Sequence, residues 1–210
     1  MNNERYEKKV GILGGTFNPI HIGHLMLAEN ALEYCNLDEV LIMPSGCSYF
    51  KDQRSVADPV HRLKMAELAI SDNDKFVISP IEVERGGYTY TYETLEILCR
   101  ENPNARYYYI IGADTLFSME TWKKPDVIFS KCTIVCAKRD GSGDDKLENK
   151  ANELKEKFGA EIIIMDTPEI PVSSTVIREM MKKGMSCRYY LDDKVIKYIK
   201  DNGLYLKLPD

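Results

Sequence analysis

The stretch VGILGGTFNPIHIGHLMLAENAL, residues 10–32, decides the fold. An apolar strand over 10–13 runs into Gly14-Gly15, then a loop with Thr16, Phe17, Asn18 and Pro19, then a helix opening near His21. Paired glycines let a phosphate approach the main chain, and a helix start offers unpaired N–H groups at the positive end of its dipole. His21 and His24 lie three apart and share one face of the first turn. Gly23 between them carries no side chain to obstruct a triphosphate. Either histidine alone reads more readily as a cap or packing residue, but the whole string reads as an anion site. Zinc is the other reading of two such histidines, and it needs further Cys, His or carboxylate ligands. The only other histidine is His61, expected on a helix face after Pro59, so no protein-held metal is expected.

Working outward, apolar runs rich in β-branched and aromatic residues recur at 40–43, 76–79, 107–111, 133–137 and 161–165. They mostly do not alternate, which marks strands covered on both faces. Between them, Leu25, Ala28, Leu32 and Cys35 share one helical face, as do Leu63, Ala66 and Ile70. Asp58-Pro59 supplies an N-cap and a first-turn proline to the second of these helices. Near the C-terminus, helical runs over 174–183 and 192–201 end at Gly184 and just before Gly203. This alternation predicts an α/β fold, a doubly wound parallel sheet that binds ligands beyond the carboxyl ends of its strands. At 210 residues the chain suits one domain over 1–210, with 173–210 as a small C-terminal helical subregion. The segment 44–57, with Ser48-Tyr49-Phe50-Lys51 at its centre, fits a lid, and 138–145 fits a mobile surface connection.

Composition narrows the partners. The chain is 44% hydrophobic and 29% charged, as in ordinary globular domains. A net charge of -5 argues against a nucleic-acid groove, which needs a basic surplus. The opening MNNERYEKK is polar, unlike a signal peptide, and no apolar run reaches the ~18 residues that span a bilayer. Six scattered cysteines form no CxxC, and Cys132 and Cys136 read as buried apolar residues better than as a metal pair. A reducing cytoplasmic setting is expected, with no nucleic-acid or membrane partner. Oligomeric state has no reading in the sequence.

A second helix opening, Val172-Ser173-Ser174-Thr175-Val176-Ile177-Arg178, offers hydroxyl caps and an early arginine suited to the outer phosphates of a nucleotide. Alone such a string is usually a helix cap. With GGTFNPIHIGH upstream, the pair resembles the signature of the HxGH nucleotidylyltransferase superfamily, which has a Rossmann-like fold. That superfamily includes pantetheine-phosphate adenylyltransferases, cytidylyltransferases and pyridine mononucleotide adenylyltransferases. Three further pieces resemble the bacterial nicotinate-nucleotide adenylyltransferases: YYYIIGAD at 107–114, Tyr90-Thr91-Tyr92-Glu93-Thr94-Leu95, and Trp122 within Thr121-Trp122-Lys123. One stretch departs from that family. After Pro44-Ser45-Gly46, where a PPHK-like string is usual, Phe50 replaces the histidine, while Lys51 keeps a cation.

The resemblance implies that ATP meets Gly14, Gly15, Thr16, Phe17, His21 and His24 on one side. Its outer phosphates would meet Ser173, Ser174, Thr175 and Arg178, and its adenosine Gly112 and Asp114. Nicotinate mononucleotide would meet Thr16, Tyr90, Thr91 and Trp122, with Trp122 stacking on the pyridine ring; core packing is the other reading of that residue. His21, His24, Arg178 and Lys51 are the implied catalytic residues. The implied reaction joins nicotinate mononucleotide to the AMP moiety of ATP, giving nicotinate adenine dinucleotide and pyrophosphate in NAD biosynthesis. A phosphate monoester, with a second pKa of about 6, is already largely ionised and needs no general base. Catalysis then rests on positioning and on neutralising charge as pyrophosphate leaves. Mg2+ is expected as the companion of ATP, held by phosphate oxygens and water. The rival readings are nicotinamide mononucleotide or another phosphorylated acceptor, and a non-catalytic nucleotide sensor. N–H groups near Thr91 favour the nicotinate carboxylate over a neutral amide.

Overall fold

Each apolar run of the sequence is a strand in the computed structural model, which describes residues 8–46, 56–138, 144–168 and 170–206. The strands are β1 (Lys8–Gly15), β2 (Glu39–Pro44), β3 (Phe76–Ile78), β4 (Ala105–Gly112), β5 (Cys132–Lys138) and β6 (Ile162–Asp166). They form one sheet in the order β3-β2-β1-β4-β5-β6, the order of a doubly wound Rossmann-like fold. The pairs β1–β4, β4–β5 and β5–β6 are parallel, with Gly11 opposite Tyr108, Ile111 opposite Cys136, and Cys136 opposite Ile164.

The expected helices also form: α1 (Ile22–Tyr34), α2 (Pro59–Ala69), and, further along, Ser174–Lys182 and Asp193–Asp201. Asp58 caps α2 by accepting from the Val60 N–H at 2.9 Å, with Pro59 in its first turn. Among the described residues five α-helices lie between: α3 (Ile81–Arg85), α4 (Thr91–Glu101), α5 (Ala113–Leu116), α6 (Pro125–Lys131) and α7 (Asp144–Phe158), so that the last two are α8 and α9. The expected connection over 138–145 is shorter than its composition implies, because Lys138 ends β5 and α7 begins at Asp144. α7 is mostly charged and buries Leu147 and Leu154, a pair seven apart that gives a sparse apolar stripe. The lid expected over 44–57 lies largely outside the described residues. No helix among the described residues is long and apolar enough to cross a membrane.

Contacts along the chain gather into two compact units. The first holds 8–13, 27–41, 90–138 and 144–168 of the described residues. Its core is built from Ile12, Val40, Leu95, Ile110, Ile134 and Leu154, with α4 packed on α6 and α6 on α7. Gly11 lets β1 come close to its neighbours, since a Cβ there would lie 2.8 Å from Leu37 Cδ1 and 3.0 Å from Val40 Cγ2. Cys132 and Cys136 are free and buried on β5, as their strand spacing predicts. Burial raises both thiols far above their usual range, that of Cys136 to about 12. Ile134 is fully buried on β5, so Ile134→Ala is expected to cost about 2–5 kcal/mol through lost burial and a residual cavity. Urea unfolding followed by circular dichroism measures this; a loss below about 1 kcal/mol would place Ile134 outside a packed core.

The second unit holds 14–26, 42–46, 56–89 and 170–206 of the described residues. Phe17, Ile20, Ile42, Met65, Ile177 and Ile199 fill its core, and α2 packs on α9. His61 has a structural place there: its Nδ1 lies 2.8 Å from the Tyr198 hydroxyl of α9.

Candidate active site

The loop after β1 is shaped by its smallest residue. A Cβ on Gly15 would lie 2.7 Å from the Phe17 ring, so only glycine lets that ring fold back beneath the strand end. Phe17 is buried and left-handed at φ 48°, and its ring meets the His24 imidazole edge-on at 4.9 Å. The Asn18–Pro19 peptide is cis. α1 then starts at Ile22, whose N–H donates to the Tyr190 carbonyl at 2.9 Å.

The two imidazoles of the HxGH string stack with centroids 3.7 Å apart and planes 27° from parallel. The His21 N–H donates to His24 Nδ1 at 3.2 Å. Since Nδ1 accepts, the His24 proton sits on Nε2, which fixes the tautomer. His21 is buried, with a pKa lowered to about 4 by loss of solvation, a main-chain hydrogen bond opposing the shift. Its Nδ1 is buried without a hydrogen-bond partner. The structure thus holds His21 neutral at pH 7, as a hydrogen-bonding group in place of a charge. Gly23 also answers a different demand from the expected one. A Cβ there would strike Val172 Cγ1 at 2.9 Å and the His21 ring at 3.2 Å, so packing by itself already requires the glycine.

The lowered His21 pKa has a measurable consequence. The unfolded chain binds a proton that the folded chain refuses between pH 6.5 and about 4. Stability attributable to this group is therefore fully present above pH 6.5, falls as pH drops through that window, and levels off below about 4. The amount is on the order of 3 kcal/mol, or roughly 6–12 °C in melting temperature. His21→Gln should flatten the melting temperature against pH by that amount. Parallel profiles for parent and variant would refute the assignment.

α8 brings the second motif to the same loop. Ser173 caps the helix, its hydroxyl oxygen accepting from the Val176 N–H at 3.3 Å. Ser174 Oγ donates to the Pro19 carbonyl at 2.9 Å. Arg178 Nη1 donates to the Asn18 carbonyl at 2.8 Å, and its Nη2 to Thr175 Oγ1 at 3.2 Å. The openings of α1 and α8 therefore converge on Phe17, Asn18 and Pro19. Gly14, Gly15, Thr16, His21, His24, Ser173, Ser174, Thr175 and Arg178 all belong to this one unit.

Three residues that carry no motif hold the same loop. Asn18 Oδ1 accepts from the Ala57 N–H at 3.0 Å and from the Tyr205 hydroxyl at 2.6 Å. Burial pushes the Tyr205 phenol well above its usual range, although the cations Arg178 and Arg62 oppose the shift. Arg62 is 1% exposed and donates to the carbonyls of Thr16 at 2.7 Å, Gly46 at 2.6 Å and Ala57 at 2.9 Å. The sequence does hold a signal for Arg62, an arginine on the apolar stripe of α2 with Met65, Ala66 and Ala69. Nothing local announces Tyr205.

The other expected residues lie in the first unit. Gly112 ends β4, and among the described residues beyond its chain neighbours a Cβ there would meet nothing within 4 Å, so their packing does not account for this glycine. Asp114 is exposed in the opening turn of α5. Tyr90 is the N-cap of α4 and Thr91 its first residue, with no side-chain cap on the first N–H groups. Trp122 is half-buried and meets Tyr109 edge-on at 6.2 Å. Lys123 Nζ sits 4.0 Å above the Tyr90 ring. Lys51 lies outside the described residues.

A family model described as cytidylyltransferase-like matches residues 12–180. A protein of Lachnoclostridium phytofermentans named probable nicotinate-nucleotide adenylyltransferase is 45% identical over 95% of this chain and its own entire length. One of Lactococcus lactis with the same name is 39% identical over 95% of this chain and 96% of its own. The fold is shared with the Plasmodium falciparum nicotinic acid mononucleotide adenylyltransferase complexed with NaAD. There the TM-score is 0.77 and the identity 20%, with 95% of this chain and 98% of the other covered.

Proposed function

Because the chain belongs to the nicotinate-nucleotide adenylyltransferase family, within the cytidylyltransferase-like group, we propose that it joins nicotinate mononucleotide to the AMP moiety of ATP. The products are nicotinate adenine dinucleotide and pyrophosphate, which places the chain in NAD biosynthesis. The observation that carries the reading is the convergence of α1 and α8 on the Phe17–Pro19 turn. It ties His24 and Arg178 to one loop, which supports reading His21, His24 and Arg178 as one set of ligands for a triphosphate.

Their roles follow from their chemistry. The mononucleotide phosphate oxygen attacks the α-phosphorus, and pyrophosphate departs in line. Arg178 supplies the fixed positive charge, since a guanidinium stays protonated at any working pH. His24 Nε2–H supplies a directed hydrogen bond, and the neutral His21 ring stacked on it holds that donor in place. The N–H groups of the Gly15–Phe17 loop and the Ser173–Thr175 opening complete the cradle. In the first unit, Asp114 accepts from ribose hydroxyls, Gly112 leaves room for the adenosine, and Trp122 offers a ring face to the pyridine. The uncapped N–H groups at Thr91 take the nicotinate carboxylate. Lys51 is the remaining assigned cation.

Magnesium enters with ATP. Imidazole and guanidinium groups bind phosphate oxygens, whereas a hard cation takes oxygen ligands, so these residues hold the nucleotide and not the ion. The whole chain, 1–210, acts as one nucleotidylyltransferase domain in the cytoplasm. A pyrophosphate-release assay with ATP, magnesium and a panel of mononucleotides tests the reading. Nicotinate mononucleotide is expected to turn over fastest. A clear preference for nicotinamide mononucleotide would overturn the choice of acceptor, and silence on every acceptor would leave a nucleotide sensor.

A further inference from the structure

Arg62 is buried on α2 among apolar neighbours, and none of the sequence motifs gives it a task. Taking a guanidinium out of water is costly, and an apolar side chain would suit this stripe better unless the cation does something an apolar group cannot. Three of its hydrogen bonds reach main-chain carbonyls in three separate segments: Thr16, Gly46 and Ala57. Ala57 extends the grip, because its N–H donates to Asn18 Oδ1. Arg62 therefore holds the residue before Phe17 directly, and the residue after it through Ala57.

Phe17, between those two anchors, is left-handed at φ 48°, a conformation that a bulky residue keeps only where its surroundings impose it. The Thr16–Phe17 peptide is trans. With the Thr16 carbonyl directed at Arg62, the N–H of Phe17 points the opposite way. Main chain that curves through a left-handed residue with its N–H groups to one side is the geometry of an anion-binding nest.

We propose that Arg62 is a positioning residue for the reaction: without touching substrate, it orients the Thr16–Phe17 peptide so that the Phe17 N–H donates to a phosphate of ATP. The proposal rests on the adenylyltransferase reading above and assigns that site a residue outside its motifs.

Two variants and one titration test it. Arg62→Lys keeps the charge but replaces a three-pronged fork with a single Nζ, and Arg62→Ala removes both. In whichever variant is folded by circular dichroism, kcat should fall about a hundredfold, the scale of a small misplacement of reacting groups. KM for nicotinate mononucleotide should stay within about twofold of the parent, and lysine should rescue no better than alanine. An arginine that is merely structural would lower the melting temperature and leave kcat of the folded variant at the parental value, which overturns the proposal. Independently of turnover, the nitrogen-15-labelled parent is titrated with inorganic tripolyphosphate. The Phe17 amide resonance is expected to move. An unmoved Phe17 resonance overturns the proposal whether or not either variant folds. The titration contains no mononucleotide, so its result is separable from any failure of the acceptor assignment.

Discussion

His24→Ala should lower turnover by about a hundred- to a thousandfold, or ~2.7–4 kcal/mol of transition-state stabilisation, in a protein that remains folded. The loss is large because the tautomer is fixed. His24 Nδ1 accepts from the His21 N–H, so Nε2 is the donor, and the ring is held between the His21 face and the Phe17 edge. Such a donor is oriented before charge develops on the departing pyrophosphate and needs no reorganisation as it does. The fold survives because His24 is only half-buried and lies in the first turn of α1, where alanine is a strong helix former. Pyrophosphate release at saturating ATP, beside a far-UV circular dichroism spectrum, measures both halves of the expectation. Near-parental turnover in the folded variant would remove His24 from the chemistry.

Arg178→Ala should cost a similar factor in kcat, with a raised KM for ATP in addition. In the proposed role the charge would contact ATP before and during the reaction, so its loss should affect binding as well as the barrier. Arg178→Lys should recover no more than about tenfold of that loss, because a lysine offers a point charge in place of a planar fork. The fork is already engaged structurally, with Nη1 on the Asn18 carbonyl and Nη2 on Thr175 Oγ1. These bonds aim the guanidinium, and an ammonium cannot keep both while meeting a phosphate. A lysine variant with parental kcat and KM would show that charge alone suffices and that the aiming bonds are incidental.

Much of this is legible in the sequence itself. The six strands were readable because buried parallel strands leave continuous apolar runs, and Asp58 and Ser173 were readable as caps because capping is local chemistry. What escaped depends on contacts between distant residues. Arg62 breaks an apolar stripe, a signal that is visible but does not reveal its three carbonyl partners. The Tyr205–Asn18 bond has no periodic signature. Gly23 was correctly expected to need a missing side chain, but Val172, which makes the demand, lies far along the chain. The alternation of strands and helices calls for a helix between β5 and β6, but two buried leucines among many charges give α7 too faint a stripe to set its bounds.

The Phe17–Pro19 turn is secured by bonds whose partners lie 155, 160 and 187 positions away along the chain. Closing so wide a loop costs entropy that no nearby contact repays, so these ties are expected to form late. During synthesis a ribosome would have to release 187 further residues after Asn18 before Tyr205 emerged to grip the first loop. An arrested nascent chain ending short of that tyrosine should hold nucleotide only weakly, even with the HxGH segment long since exposed. Competence to bind substrate would thus wait on a residue translated long after the loop it secures.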